Sequence, residues 1–220
     1  MKKPINYSLP EGIDSIIYDL DGTLWDSVSV VATGWNKAFH SFPQSAYLTV
    51  TEDDLRGLFG KTMETIGHIL MDGHVPAEEQ QEILDACYPA EEEALDANPP
   101  APYEGVEESF RILSEKYRLF IVSNCQAGYI ECFLRNTGLG KYITDHTCPG
   151  DTGYEKAYNI RHIIEKHNLS SAIYVGDIQG DCNATREAGI PFVHAAYGFG
   201  EVEKPDAVIY SPMGLTELLP

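Results

Sequence analysis

Short apolar runs alternating with helical patterns constrain the fold of this chain more than any other feature. Residues 13–19, 119–123, 172–176, 191–195 and 207–210 are short, rich in Ile, Val, Leu, Phe and Tyr, and bounded by turn residues. Continuous apolar runs of this length read as strands buried on both faces. Helical patterns lie between them. Residues 106–117 place Val106, Phe110, Leu113 and Tyr117 at helical spacing, and 128–137 end at Gly138, a residue suited to closing a helix. Residues 155–167 carry Ile160, Ile163 and Ile164 on one face, and 183–188 end at Gly189. Strand and helix in repetition predict an α/β fold, a parallel sheet with a helical layer on each side.

Residues 28–97 break this rhythm. They hold helical patterns at 28–39, 53–59, 62–71 and 78–95 but no convincing β run. Asn98-Pro99-Pro100-Ala101-Pro102 then forms a stiff linker. The pattern predicts an α/β core domain of residues 1–26 and 102–220. A helical cap domain, 27–101, is inserted after the first strand and sits over the carboxyl edge of the sheet.

Acidic residues leave the ends of two of the predicted strands. Asp19-Leu20-Asp21-Gly22-Thr23 follows Ile16-Ile17-Tyr18, and Gly176-Asp177-Ile178-Gln179-Gly180-Asp181 follows Ile173-Tyr174-Val175. Carboxylates are normally kept out of interiors, but the carboxyl ends of parallel strands are where an open α/β sheet binds its ligands. The first pair reads as a nucleophile and a proton-transfer group, or as a solvated Asp-Gly turn. The second reads as oxygen ligands for Mg²⁺, or as an acidic turn with a helix cap at Asp181. Another strand ends in Ser123-Asn124, where a hydroxyl and free N–H groups bind an oxyanion or cap the helix that begins near Ala127. Lys156 opens a predicted helix, where a cation is poorly matched to the helix dipole. Any one of these is weak. All strand ends of one polarity meet at one edge, so the four elements can converge although they span the chain.

With 34 acidic against 15 basic residues, the formal charge is −19. Such a chain is unsuited to nucleic acid or to an anionic membrane surface. If it takes a phosphate ester, a divalent cation and local Lys or Arg must overcome its global field. Five cysteines without C-x-x-C spacing predict small buried apolar residues rather than zinc ligands or disulfides. Met1-Lys2-Lys3-Pro4-Ile5-Asn6 has no apolar stretch behind it, and no window reads as a membrane span. The expectation is a soluble cytoplasmic protein, monomeric by default.

The order of these strings resembles the haloacid dehalogenase-like hydrolase superfamily over nearly the whole chain, with phosphoglycolate phosphatase-like enzymes the nearest group. Asp19-x-Asp21-Gly22-Thr23 matches its first motif, Ser123 its second, Lys156 its third and Gly176-Asp177-x-x-x-Asp181 its fourth. The resemblance implies a Rossmann-like core with a small helical cap, and a Mg²⁺-dependent phosphatase acting on a small phosphorylated metabolite. Asp19 would attack phosphorus and form an aspartyl-phosphate. Asp21 would act as general acid and then base, its backbone carbonyl also reaching Mg²⁺. Ser123, the Asn124 N–H and Lys156 would hold the phosphoryl oxygens. Asp177 would ligate Mg²⁺ beside Asp19, with Asp181 as a ligand or its supporting partner. Ala157, where the family often has Pro, and Ile178, where it often has Ser or Thr, depart from the pattern and concern loop geometry.

Asp21 separates a phosphatase from a true dehalogenase, which lacks the second acid. Thr23, counted with the substrate-binding residues, fits phosphatases better than the β-phosphoglucomutase-like isomerases, which usually carry Val. That isomerase, and a non-catalytic phospholigand-binding protein, are the alternatives. In the cap, Trp25, Trp35, Arg56, Lys61, His68 and His74 are candidates to face the site. Arg56 and Lys61 are preferred for meeting a substrate carboxylate or second phosphate. The bland readings are core packing for the Trp residues, a solvated helix end for the two basic groups, and surface positions for the His residues. Cys125 is expected to be passive, because the chemistry already has a nucleophile.

Overall fold

A computed structural model describes residues 9–219. The N-terminal segment weighed above as a signal, residues 1–6, lies outside the described residues. Six strands form one sheet in the order β3-β2-β1-β4-β5-β6, with every pairing parallel. They are β1 Ser15–Tyr18, β2 Arg118–Val122, β3 Ile143–Thr147, β4 Ala172–Gly176, β5 Phe192–Ala195 and β6 Ala207–Ile209.

The apolar runs of β1 and β4 are buried along their whole length, because helices cover both faces of the sheet. Successive side chains of β1 enter different layers. Ile16 and Tyr18 pack with Phe110 and Leu113 of α5 (Val106–Leu113) and with Ile130 and Phe133 of α6 (Tyr129–Thr137). Ile17 packs with Ile160 and Ile163 of α8 (Lys156–His167) and with Cys182 of α9 (Gln179–Ala188). The short helices α7 (Pro149–Thr152) and α10 (Gly214–Leu218) follow β3 and β6.

Two features depart from the sequence expectation. The third strand, β3, was not anticipated: in Ile143-Thr144-Asp145-His146-Thr147 one apolar residue is followed by four polar ones, and the strand is only partly buried. It is an edge strand paired to β2 alone, so no continuous apolar run marks it. Helix α9 begins at Gln179 rather than near residue 183, which puts Asp181 inside its first turn.

Helices α1 (Val28–Phe39), α2 (Glu52–Arg56), α3 (Met63–Met71) and α4 (Ala77–Ala97) follow β1. They share a hydrophobic cluster of their own, including Trp35, Phe39, Leu55, Ile66, Ile83 and Leu84. The two chain crossings between this bundle and the sheet run side by side, joined by the Tyr103 N–H bonded to the Leu24 carbonyl at 2.9 Å. Among the described residues, no helix is long and apolar enough to cross a membrane.

Candidate active site

The strand order makes the site. β1 is central, and the chain leaves it to build β2 and β3 on one side and β4, β5 and β6 on the other. Loops diverge at such a switch point and leave a crevice at the carboxyl edge. Tyr18 lies opposite Ile121 of β2 and Val175 of β4. Asp19 follows Tyr18 directly, and Ser123 and Asp177 come two residues after Ile121 and Val175, so all three leave the same edge of adjacent strands about 4.8 Å apart.

Asp19 is buried. Its Oδ1 accepts a hydrogen bond from Lys156 Nζ at 2.8 Å and from the Tyr174 hydroxyl at 3.4 Å. Burial and the like charge of Asp181 push the Asp19 carboxyl upward, against the pull of Lys156 and Ser123. Lys156 Nζ also donates to Asp181 Oδ1 at 2.6 Å. Burial opposes its charge, but Asp181 and Asp19 together outweigh it and hold the ammonium above the ordinary lysine range. Asp181 Oδ2 accepts the backbone N–H groups of Asp177 and Ile178 at 3.2 and 3.3 Å, which stiffens the loop carrying Asp177. Asp177 in turn accepts the Phe199 N–H at 2.7 Å and the Thr23 hydroxyl at 3.5 Å. Burial, then Asp181 and Asp19, raise Asp177 to about 8.

Asp19, Asp177 and Asp181 each bring a carboxylate oxygen within 4.8 Å of the others. Three buried carboxylates against one ammonium leave an excess of two negative charges away from water, which adds to burial in pushing Asp19 and Asp177 upward. Hard oxygen donors with that excess suit a divalent cation such as Mg²⁺.

Asp21 faces a separate network. Its Oδ1 accepts Trp25 Nε1–H at 2.8 Å, the Ser27 hydroxyl at 2.5 Å and the Tyr129 hydroxyl at 3.0 Å. Burial raises Asp21 to about 7, although the Ser27 hydrogen bond works against the rise. Ser27 and Tyr129 carried no signal in the sequence. Tyr129 is 108 residues from Asp21 and reaches it only because α6 packs beside β1. Trp25 is fully buried, as its packing alternative holds, but its indole N–H also fixes the acid.

A small cavity of about 20 Å³ joins these groups to the α1–α4 bundle, with room for about one water. Asp19, Asp21, Ser123, Asn124, Cys125 and Tyr129 line it from the strand-end loops and α6, and Phe59, Gly60, Lys61, Met63, Ile66 and Glu91 from the α1–α4 segment. Lys61 is therefore at the cavity. Arg56 is not among the lining residues: its guanidinium pairs with Asp26 at 3.0 Å and lies 5.0 Å over the Phe199 ring. Thr23 is buried against Asp177 rather than lining the cavity. His68 bonds Gln80 at 2.6 Å and His74 gives its carbonyl to Tyr47 at 2.7 Å, both away from the cavity. Ser123 does not cap a helix at residue 127, because α6 starts at Tyr129 with Gly128 before it. Burial lifts the Cys125 thiol well above its ordinary value, which keeps it protonated. Glu91, on α4, escaped the sequence reading because it lies within the acidic run Glu91-Glu92-Glu93.

Comparison with known proteins agrees with this geometry. The family model described as haloacid dehalogenase-like hydrolase matches residues 16–195. A phosphoglycolate phosphatase of Agrobacterium fabrum is 30% identical over 219 residues, covering 92% of this chain and 91% of its own. A phosphoglycolate phosphatase of Vibrio parahaemolyticus is 28% identical, covering 95% of this chain and 96% of its own. Among solved structures, one described as a predicted phosphoglycolate phosphatase from Haemophilus somnus superposes with a TM-score of 0.83 at 20% identity, covering 94% of this chain and 98% of that one. At that identity the likeness concerns the fold.

Proposed function

The chain belongs to the haloacid dehalogenase-like hydrolases and acts on phosphoric monoesters, and we propose that it is a magnesium-dependent phosphatase working through an aspartyl-phosphate. The observation that carries this reading is the division of labour between two acids on one loop. Asp19 is paired with a buried lysine, whereas Asp21 is raised to about 7 with three donors on a single oxygen.

In the first step an Asp19 oxygen attacks phosphorus and the bond to the leaving oxygen breaks. Asp21 delivers its proton to that oxygen from Oδ2, since Oδ1 is engaged by Trp25, Ser27 and Tyr129. In the second step water attacks phosphorus and gives its proton to Asp21. The phosphorus–oxygen bond to Asp19 breaks, and inorganic phosphate leaves. Ser123, Asn124 and Lys156 hold the phosphoryl oxygens. Asp19, Asp177 and Asp181, with the Asp21 carbonyl, are the groups that would hold Mg²⁺. When bound, the cation neutralises charge between the nucleophile and the phosphoryl group. Residues 27–101 act as a cap domain over a core of residues 9–26 and 102–219, and Lys61 attracts the anionic substrate at the cavity.

The test is hydrolysis of p-nitrophenyl phosphate with and without Mg²⁺, beside Asp19→Asn. Metal-dependent turnover that is lost in the variant is the expected result. Turnover that survives Asp19→Asn overturns the covalent route, and a wild-type enzyme indifferent to chelation overturns the metal requirement.

A further inference from the structure

Glu91 is a fully buried acid that the chemistry above does not use, yet it lines the same cavity as Asp19 and Asp21. Burying a carboxylate is unfavourable unless it is well bonded, and this one is held from two sides. Trp35 Nε1–H of α1 donates to Oε2 at 2.5 Å, and Gln126 Nε2–H, from the loop after Ser123, donates to Oε1 at 2.9 Å. Gly34 allows the approach of α1 that makes this possible. An added Cβ there would lie 2.8 Å from both the Ala90 carbonyl oxygen and the Glu91 Cα.

Each Glu91 oxygen accepts one of these bonds and keeps capacity for another. Asn124 Oδ1, on the opposite wall of the cavity, is buried with no hydrogen-bond partner. Phe59, Met63 and Ile66 supply the apolar remainder. The wall above the phosphoryl site thus offers acceptors in search of a donor. Lys61 also lines the cavity, but it is exposed and water-screened, whereas the Glu91 carboxylate is dry.

Resting on the phosphatase reading, we infer that Glu91 is a specificity-determining residue that accepts a hydrogen bond from a leaving-group hydroxyl and excludes a carboxylate. The substrates are phosphate esters of neutral polyols rather than of hydroxy acids. A leaving group bearing a carboxylate would place a negative charge beside the Glu91 carboxylate in a cavity with room for about one water, where screening is weak. Phosphoglycolate, the ester for which the relatives are named, carries such a carboxylate and is expected to be a poor substrate.

Two esters of nearly equal size isolate this feature: 2-hydroxyethyl phosphate and phosphoglycolate. p-Nitrophenyl phosphate reports the phosphatase chemistry by itself, and phosphoethanolamine adds a cationic arm. The expected kcat/KM for hydroxyethyl phosphate exceeds that for phosphoglycolate by about tenfold or more, and Glu91→Gln shrinks this ratio by about tenfold. Equal or better use of phosphoglycolate by the wild type, or an unchanged ratio in the variant, overturns the inference. So does phosphoethanolamine surpassing hydroxyethyl phosphate, which would make Glu91 a cation site. If p-nitrophenyl phosphate is hydrolysed without discrimination within the pair, the inference fails alone. If it too is inert, the phosphatase reading fails and takes the inference with it. Near-UV circular dichroism checks that Glu91→Gln is folded, and the wild-type ratio remains a test should it not be.

Discussion

Asn124 donates its Nδ2 hydrogen to the Gly60 carbonyl at 2.8 Å, so the residue after Ser123 grips the loop between α2 and α3. The loop after β4 grips the same place. Gly60 has φ +92°, and an added Cβ would collide with Ile178 Cδ1. Ile178 stands where the family often has Ser or Thr, and here it gives the loop between α2 and α3 an apolar seat. Two strand-end loops of the site thus meet one residue of that loop.

Gly60→Ala should disturb this seat directly. The left-handed backbone costs a residue with a Cβ about 1–2 kcal/mol, and the new methyl must displace Ile178. The expected outcome is a fall of about tenfold in kcat/KM for p-nitrophenyl phosphate, with a thermal midpoint lowered by about 2–8 °C, as about 1–2 kcal/mol predicts for a chain of this size. Steady-state kinetics beside a melting curve checks it. Wild-type kinetics would show that the site does not depend on this contact.

Tyr129→Phe should move a pH limb. Asp21 must be protonated to discharge an alkyl leaving group, so activity on alkyl phosphates falls as pH rises through about 7. The Tyr129 hydroxyl stabilises the ionised form of Asp21 and holds its pKa down. Removing that hydroxyl raises the Asp21 pKa, so the falling limb shifts to higher pH. The pH profile of kcat/KM on an alkyl phosphate reads the shift, and a limb that stays in place or moves down contradicts the assigned role.

The core of this fold was legible because burial on both faces writes a continuous apolar run, as in Ile16-Ile17-Tyr18 and Ile173-Tyr174-Val175. Edge strand β3 leaves no such mark, since Asp145 pairs with His167 at 2.7 Å and Lys166 at 2.7 Å instead of entering a core. The acids and Lys156 were readable for the same reason as the strands: each sits where a regular element begins or ends. What supports them was not. Ser27, Tyr129 and Gln126 act through contacts 6, 108 and 35 residues away, and neither composition nor periodicity encodes such pairs. Arg56, which a place beside glycines suggested for substrate binding, engages Asp26 and Phe199, contacts that the sequence does not signal either.

Lys156→Met should damage both chemistry and stability. It removes the cation shared by Asp19 and Asp181 at 2.8 and 2.6 Å and leaves two buried carboxylates facing each other. Removing one partner of such a pair costs about 3–5 kcal/mol, and losing a donor to the phosphoryl oxygens costs about 10²–10³ in kcat. Denaturant unfolding in EDTA and kinetics in Mg²⁺ measure the two effects separately. A variant as stable as the wild type in EDTA would mean that the carboxylates take up protons without loss.

The buried acids also dictate how the metal-free protein responds to pH. Asp21 and Glu91 are pushed up to about 7 and Asp177 to about 8, chiefly by burial. In the unfolded chain they titrate near about 4. Between about pH 4 and pH 8 the folded protein therefore holds protons that the unfolded chain has released, and stability falls as pH rises through that window. For fully buried Glu91 the rise from 4.5 to about 7 corresponds to roughly 3 kcal/mol. Repulsion within a chain of charge −19 pushes in the same direction, so the wild-type curve alone does not isolate the acids. Two comparisons do. Glu91→Gln in EDTA should narrow the difference in thermal midpoint between about pH 5.5 and pH 8, although it changes the net charge by only one. Mg²⁺ should narrow it further by favouring the ionised forms of Asp19, Asp177 and Asp181. A midpoint that rises with pH in EDTA would mean that these carboxylates are already compensated without a cation, and the excess of two negative charges at the strand ends would no longer argue for one.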